Sequence, residues 1–147
     1  MSHDTEGESS AGEAPAHGPS ADAGGQDQGV AVLAVNARFY AAFNAKDFAA
    51  MDALWARATP VACIHPGWNA LEGRDAVMES WQRILENPQQ PKIVSGAEAA
   101  TVVGEAAVVV GRGLVAGSPI ATTNGFVLEE GEWRIFLHHA SSVAALD

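Results

Sequence analysis

The 147-residue chain is 48% hydrophobic and 18% charged, enough apolar material for one packed domain and too little length for a second. Its longest apolar runs, such as residues 106–110, fall far short of the roughly 20 residues that cross a bilayer. Neither a membrane span nor a secretory signal is expected. The formal charge of −10 is lopsided: six of the 18 acidic residues and none of the eight basic ones lie in the first 29 positions, which leaves the remainder at −4. Neither part carries the basic surface that phosphate backbones require, so no nucleic-acid partner is expected. The single cysteine, Cys63, cannot form an internal disulfide; a reducing compartment fits, and the expected location is cytoplasmic.

Residues 1–29 hold no large apolar side chain beyond Met1, so they cannot bury enough surface to offset chain entropy. They read as a disordered acidic tail, His3 and His17 included, with the folded domain spanning 30–147. Val32, Val35, Phe39 and Phe43 then recur at helical spacing and predict a first helix from Val30, ended by the turn Asn44 to Lys46. Asp47 is placed to cap a second helix, whose buried face is Phe48, Met51, Leu54 and Trp55 and which Thr59 and Pro60 stop. Residues 61–65 read as a short strand broken by Pro66 and Gly67, and a loop runs on to Gly73. A third helix over 74–86 buries Val77, Trp81, Ile84 and Leu85.

From Lys92 the pattern changes to runs rich in Val, Thr, Ile and Phe. Segments 93–103, 105–116, 120–128 and 132–141 are separated by the turn signals Gly104, Gly117 to Pro119, and Glu130–Gly131. They predict four consecutive antiparallel strands. Helices first and strands last imply an α+β fold with the helices on one face of a curved antiparallel sheet.

The residues that carry a family likeness are Ile64 to Trp68 (IHPGW), Leu71 to Asp75 (LEGRD), Thr122 to Phe126 (TTNGF) and Trp133 to Ser141 (WRIFLHHAS). With this element order the chain resembles the SnoaL-like branch of the nuclear transport factor 2-like superfamily. The resemblance implies a cone: a bent sheet wrapped around three N-terminal helices and open at one end. It also implies dimers through the outer sheet face, with Arg134, Phe136 and His138 in or near the contact. Members of the superfamily include isomerases, dehydratases, polyketide cyclases, transport adaptors and binding domains, so the fold by itself names no activity.

Site residues follow from the last hairpin. With Glu130–Gly131 as a two-residue turn, Leu128 faces Trp133, Phe126 faces Ile135, Asn124 faces Leu137 and Thr122 faces His139. The apolar members of this set mark the inner face, which sends Asn124 and His139 inward and His138 outward. His65 and Trp68 are placed at the rim. The candidate ligand-binding residues are therefore His65, Trp68, Asn124 and His139, each with a purely structural alternative: a turn hydrogen bond, a core cover, a knitted sheet, a core-edge histidine. Adjacent strand residues point to opposite faces, so His138 and His139 cannot share an inner metal, and no metal-ligand spacing occurs. No metal and no cofactor are expected.

The leading expectation is a small-molecule-binding domain with an apolar cone pocket, catalysis not established. One alternative is an isomerase, cyclase or dehydratase acting on an apolar carbonyl compound with His65 or His139 as base. The other is a structural dimerisation module, which predicts a filled cone.

Overall fold

The computed structural model describes residues 18–144, with side chains from residue 24 onward. The elements run α1 (Gly18–Ala45), α2 (Phe48–Leu54), β1 (Ala62–Ile64), β2 (Leu71–Glu72), α3 (Arg74–Glu86), then β3 (Ile93–Val103), β4 (Ala106–Val115), β5 (Ser118–Glu129) and β6 (Glu132–Ser142). The six strands form one sheet in the order β2-β1-β6-β5-β4-β3. Its long strands are an antiparallel meander, as the turn signals predict, while β1 joins the free edge of β6 in parallel. Three helices and a curved, unclosed sheet make an α+β cone.

The first helix is longer than its apolar stripe. It begins at Gly18 rather than Val30, so 18–29 are helical; the expected tail over 1–17 lies outside the described residues. Two causes favour the extension. Adding a residue to an established helix is far easier than nucleating one. In addition, Gln28 Oε1 accepts a 2.6 Å hydrogen bond from Trp133 Nε1, which ties this stretch to β6. The stripe itself is buried as the spacing predicts, at Val32, Val35 and Phe39, with Asn36 and Tyr40 on the same face.

Asp47 caps α2 by accepting from the Ala50 N–H at 3.0 Å. The helix stops at Leu54, before Trp55 and well before Pro60. Trp55 instead bridges to Ile135, and the following Ala56 N–H donates to Ile135 O at 2.8 Å. Beyond it the Glu129 carboxylate accepts the backbone N–H groups of Arg57, Ala58 and Thr59 at 2.8–3.0 Å, along with the Thr59 hydroxyl. One strand carboxylate thus organises the whole connection between α2 and β1.

Two bulges bend the sheet. In β3 the register shifts between Gly96 and Ala99, and Ala97 takes a left-handed φ of 49°. Glu98 consequently turns its side chain over Gly111, where a Cβ would meet Glu98 Cγ at 3.1 Å. The second bulge decides the site. Leu128 pairs Trp133 and Phe126 pairs Ile135, as the hairpin register predicts, but Gly125 then pairs Leu137 and Asn124 pairs His138. Phe136 is the extra residue and has no partner across the ladder. It lies over Gly125, where a Cβ would meet its ring at 3.0 Å. Beyond this point every β6 side chain has changed face.

Candidate functional site

A cavity of about 250 Å³ opens at the β1 end of the cone. Phe39, Tyr40 and Phe43 of α1 and Trp81 and Ile84 of α3 form one side. Ile120, His138 and Ala140 of the sheet form the other, and His65, Pro66 and Trp68 close the rim. Among the described residues the lining contains no Lys, Arg, Asp or Glu. Nor do any three His, Cys, Asp or Glu side chains among them converge on a point where a metal ion could sit.

The bulge corrects the expected site in one respect above all. His139 pairs with Thr123 and faces solvent, whereas His138 is 4% exposed and lines the cavity. Thr122 opposes Ala140 rather than His139, and Leu137 pairs with Gly125 on the outer face rather than with Asn124 on the inner one. His138 is likewise removed from any outer-face contact. The extra residue at Phe136 is the physical reason, since it shifts strand parity by one.

Asn124 is inward, 1% exposed, but it does not line the cavity. It stands behind His138 at the centre of a buried polar network. Its Nδ2 donates to Asn36 Oδ1 at 2.7 Å and to Tyr40 Oη at 3.1 Å, and its Oδ1 accepts from His138 Nδ1 at 2.6 Å. A carbonyl oxygen can only accept, so the His138 proton resides on Nδ1. Burial, reinforced by the nearby His65 and His139, pushes the His138 pKa down to about 3, which keeps the ring neutral. Tyr40 is also raised above its ordinary value, chiefly by burial; hydrogen bonds with Thr122 and Asn124 work against this, and the Glu98 charge adds to it.

His65 follows β1 and is buried with Val61 and Cys63, as alternation predicts. Its Nε2 lies 2.9 Å from Ser80 Oγ, and that hydroxyl donates its own hydrogen to Val77 O at 2.7 Å. Ser80 can therefore only accept, and His65 carries its proton on Nε2. Burial lowers its pKa to about 4 and raises the neighbouring Cys63 thiol to about 12. The Cys63 sulfur lies 3.6–3.8 Å from the ring nitrogens of His65. Trp81 and Trp68 meet the His65 ring edge-on, with centroids 4.7 and 4.9 Å away. Trp68 is 40% exposed and stands at the mouth.

The structure thus brings His65 and Trp68 together at the cavity, holds Asn124 one layer behind it, and leaves His139 outside. The sequence reading did not single out His138, Tyr40 and Asn36 as an inner set, and placed Trp81 only on a helix stripe. Two signals existed. An isolated Gly125 inside a strand is a usual mark of a bulge or a close approach. Asn36 falls within the apolar stripe of α1, one turn before Tyr40, where a polar side chain must find partners.

The comparisons with known proteins agree with this architecture. The SnoaL-like domain family matches residues 32–145. A Streptomyces avermitilis protein, provisionally described as a dehydratase of the NTF2-like family, superposes with a TM-score of 0.73 at 29% identity, over 82% of this chain and 99% of that one. A provisionally described calcium/calmodulin-dependent protein kinase type II association domain from Thiobacillus denitrificans gives 0.69 at 30% identity, over 76% and 94% of the two chains. Among curated proteins, F-box protein SKIP8 of Arabidopsis thaliana is 29% identical over 119 residues; these are 80% of this chain but 51% of that protein, so the chain spans about half its length. With its fold and most of its length matched, the chain belongs to the SnoaL-like domain family of the nuclear transport factor 2-like superfamily.

Proposed function

We propose that the cavity binds a small, uncharged, largely apolar molecule. The observation that carries this reading is the space itself: a core that packs closely at Trp55, Phe126 and Ile135 leaves about 250 Å³ open beside two neutral histidines. A cavity of roughly 150 Å³ holds benzene, and drug-sized pockets run from roughly 300 Å³, so the ligand is one or two rings in size. His65 and Trp68 contact it, and Asn124 acts through His138. Binding is testable by ligand-detected NMR with small aromatic probes. Wild-type protein is expected to bind them, and Val115→Trp, which places a bulky ring at the half-buried wall, is expected to abolish binding. Equal binding by the two proteins would remove the cavity from consideration.

A catalytic reading is favoured by one specific feature, the oriented imidazole of His138. A neutral histidine whose tautomer is fixed by a buried amide presents a directed lone pair at Nε2, which is the geometry a proton acceptor requires. The resemblance to a protein provisionally described as a dehydratase points the same way. On this reading His138 takes the place expected for His65 or His139 as base in an isomerase-, cyclase- or dehydratase-type reaction of an apolar carbonyl compound.

The same proposal includes a homodimer through the outer sheet face. Val94, Val108, Val110 and Leu114 are 44–65% exposed there, on β3 and β4. Such a stripe is costly to leave in water. Phe136 contributes less than expected, because it is half-buried over Gly125. Light scattering should give a dimer mass at micromolar concentration and a monomer mass for Val110→Glu. No helix among the described residues is long and apolar enough to cross a membrane. The buried, unpaired Cys63 is compatible with the cytoplasm.

A further inference from the structure

We propose that His138 is the recognition residue of the cavity, and that its free Nε2 selects a ligand carrying a hydroxyl donor on an apolar body, such as a phenol or alcohol, over a carboxylate. The proposal rests on the reading of the cavity as a ligand site and deepens it.

The buried polar atoms around the cavity are mostly committed to protein, and the amide of Gln90 lies at its half-buried edge. His65 Nε2 donates to Ser80 Oγ at 2.9 Å, and its Nδ1 lies against the Cys63 sulfur at 3.8 Å. The Tyr40 hydroxyl is turned into the network, where it accepts from Asn124 at 3.1 Å. Trp81 Nε1 is fully buried and reaches no partner among the described residues. His138 differs. Its Nδ1 is held by Asn124, and among the described residues no protein group bonds its Nε2. His138 lines the cavity, and Nε2 is the nitrogen of its ring left for a ligand there.

The same network decides what Nε2 offers. Both amide hydrogens of Asn124 are engaged, one by Asn36 Oδ1 and one by Tyr40 Oη, so its oxygen faces His138 and holds the proton on Nδ1. Nε2 is then a lone pair, an acceptor in an apolar enclosure. A hydroxyl satisfies it. A methyl group leaves it unpaired, which is unfavourable for a desolvated acceptor. A carboxylate brings a second acceptor and a charge, and no cation lines the cavity to receive either. Burial assists by keeping the imidazole neutral.

Three probes of similar shape separate the possibilities: para-ethylphenol, para-ethyltoluene and para-ethylbenzoate, titrated into the full chain and followed by ligand-detected NMR. Wild-type protein should bind the phenol about tenfold more tightly than the toluene, with the benzoate weakest. The His138→Leu variant should bind phenol and toluene equally. If phenol and toluene bind wild-type protein equally, the acceptor role is wrong while the cavity reading stands. Tightest binding of the benzoate would also overturn it. Failure of all three to bind would overturn the cavity reading and this proposal together. Because His138→Leu could fail to fold, a long-range proton–nitrogen NMR spectrum of the wild-type protein gives an independent check. His138 should show a protonated Nδ1 and an unprotonated Nε2, and the opposite tautomer would refute the proposal.

Discussion

The β5–β6 hairpin is two structures joined at Phe136. Its turn half, from Phe126 to Ile135, buries Phe126, Ile135 and Trp133 beneath the helices; Phe126 and Ile135 are wholly buried. Its far half presents Thr122, Asn124, His138 and Ala140, and frames a cavity. The two halves share a ladder, a twist and a face, yet one is stabilised by apolar contact and the other by a satisfied polar network beside empty space. The difference shows how one fold supports both a core and a site. A single inserted residue reverses strand parity, so a histidine that would have met solvent is delivered inward, and Gly125 opposite makes room for the displaced ring.

Acid should separate the two halves most strongly, because the buried histidines His65 and His138 both lie at the cavity end. His65 and His138 have folded pKa values of about 4 and about 3, below the ordinary 6.5. As pH falls, the unfolded chain therefore takes up protons before the folded one. Their contribution to stability is complete above pH 6.5 and is lost as pH falls through the folded values. The slope should approach two protons, about 2 to 3 kcal/mol per pH unit. Urea unfolding between about pH 6.5 and 5, above the range where ordinary carboxylates titrate, would measure it. A flat stability there would mean that the histidines are not held neutral.

On the packed side, Phe126→Ala should destabilise by about 3 to 5 kcal/mol, read as a lowered urea midpoint. Asn124→Leu should come next, at about 1 to 3 kcal/mol, since it strands His138 Nδ1 and Asn36 Oδ1 while keeping the branched shape of the side chain. If Asn124→Leu proved as costly as Phe126→Ala, the network would be the principal support of the domain and the contrast between the halves would fail. Gly125→Ala should cost about 1 kcal/mol or more, because its methyl would press on the Phe136 ring. Smallest for stability is Trp68→Ala: this rim residue should leave the melting temperature nearly unchanged, and lost probe binding should be its main effect.

Much of this was legible from residue order. The stripes of α1 and α3, the Asp47 cap, the meander and the hairpin turn each follow from a periodic or local signal, and each is found. The α1 start was not legible, because helix extension past the apolar stripe depends on a tertiary contact, Gln28 with Trp133, that no local pattern announces. The identity of the inward histidine was not legible either. Alternation counts residues, and a bulge changes the count without disturbing composition, so strict alternation puts Leu137 and His139 one step out of phase.

The most direct test of the inward His138 needs no ligand. The histidine ring signals of the native protein would be recorded by NMR in the presence of a water-soluble gadolinium chelate, which is too large to enter a cavity of about 250 Å³. His139, exposed on the outer face, should broaden strongly, while His138, 4% exposed behind the rim, should broaden far less. Stronger broadening of His138 than of His139 would contradict the bulge, and with it the site.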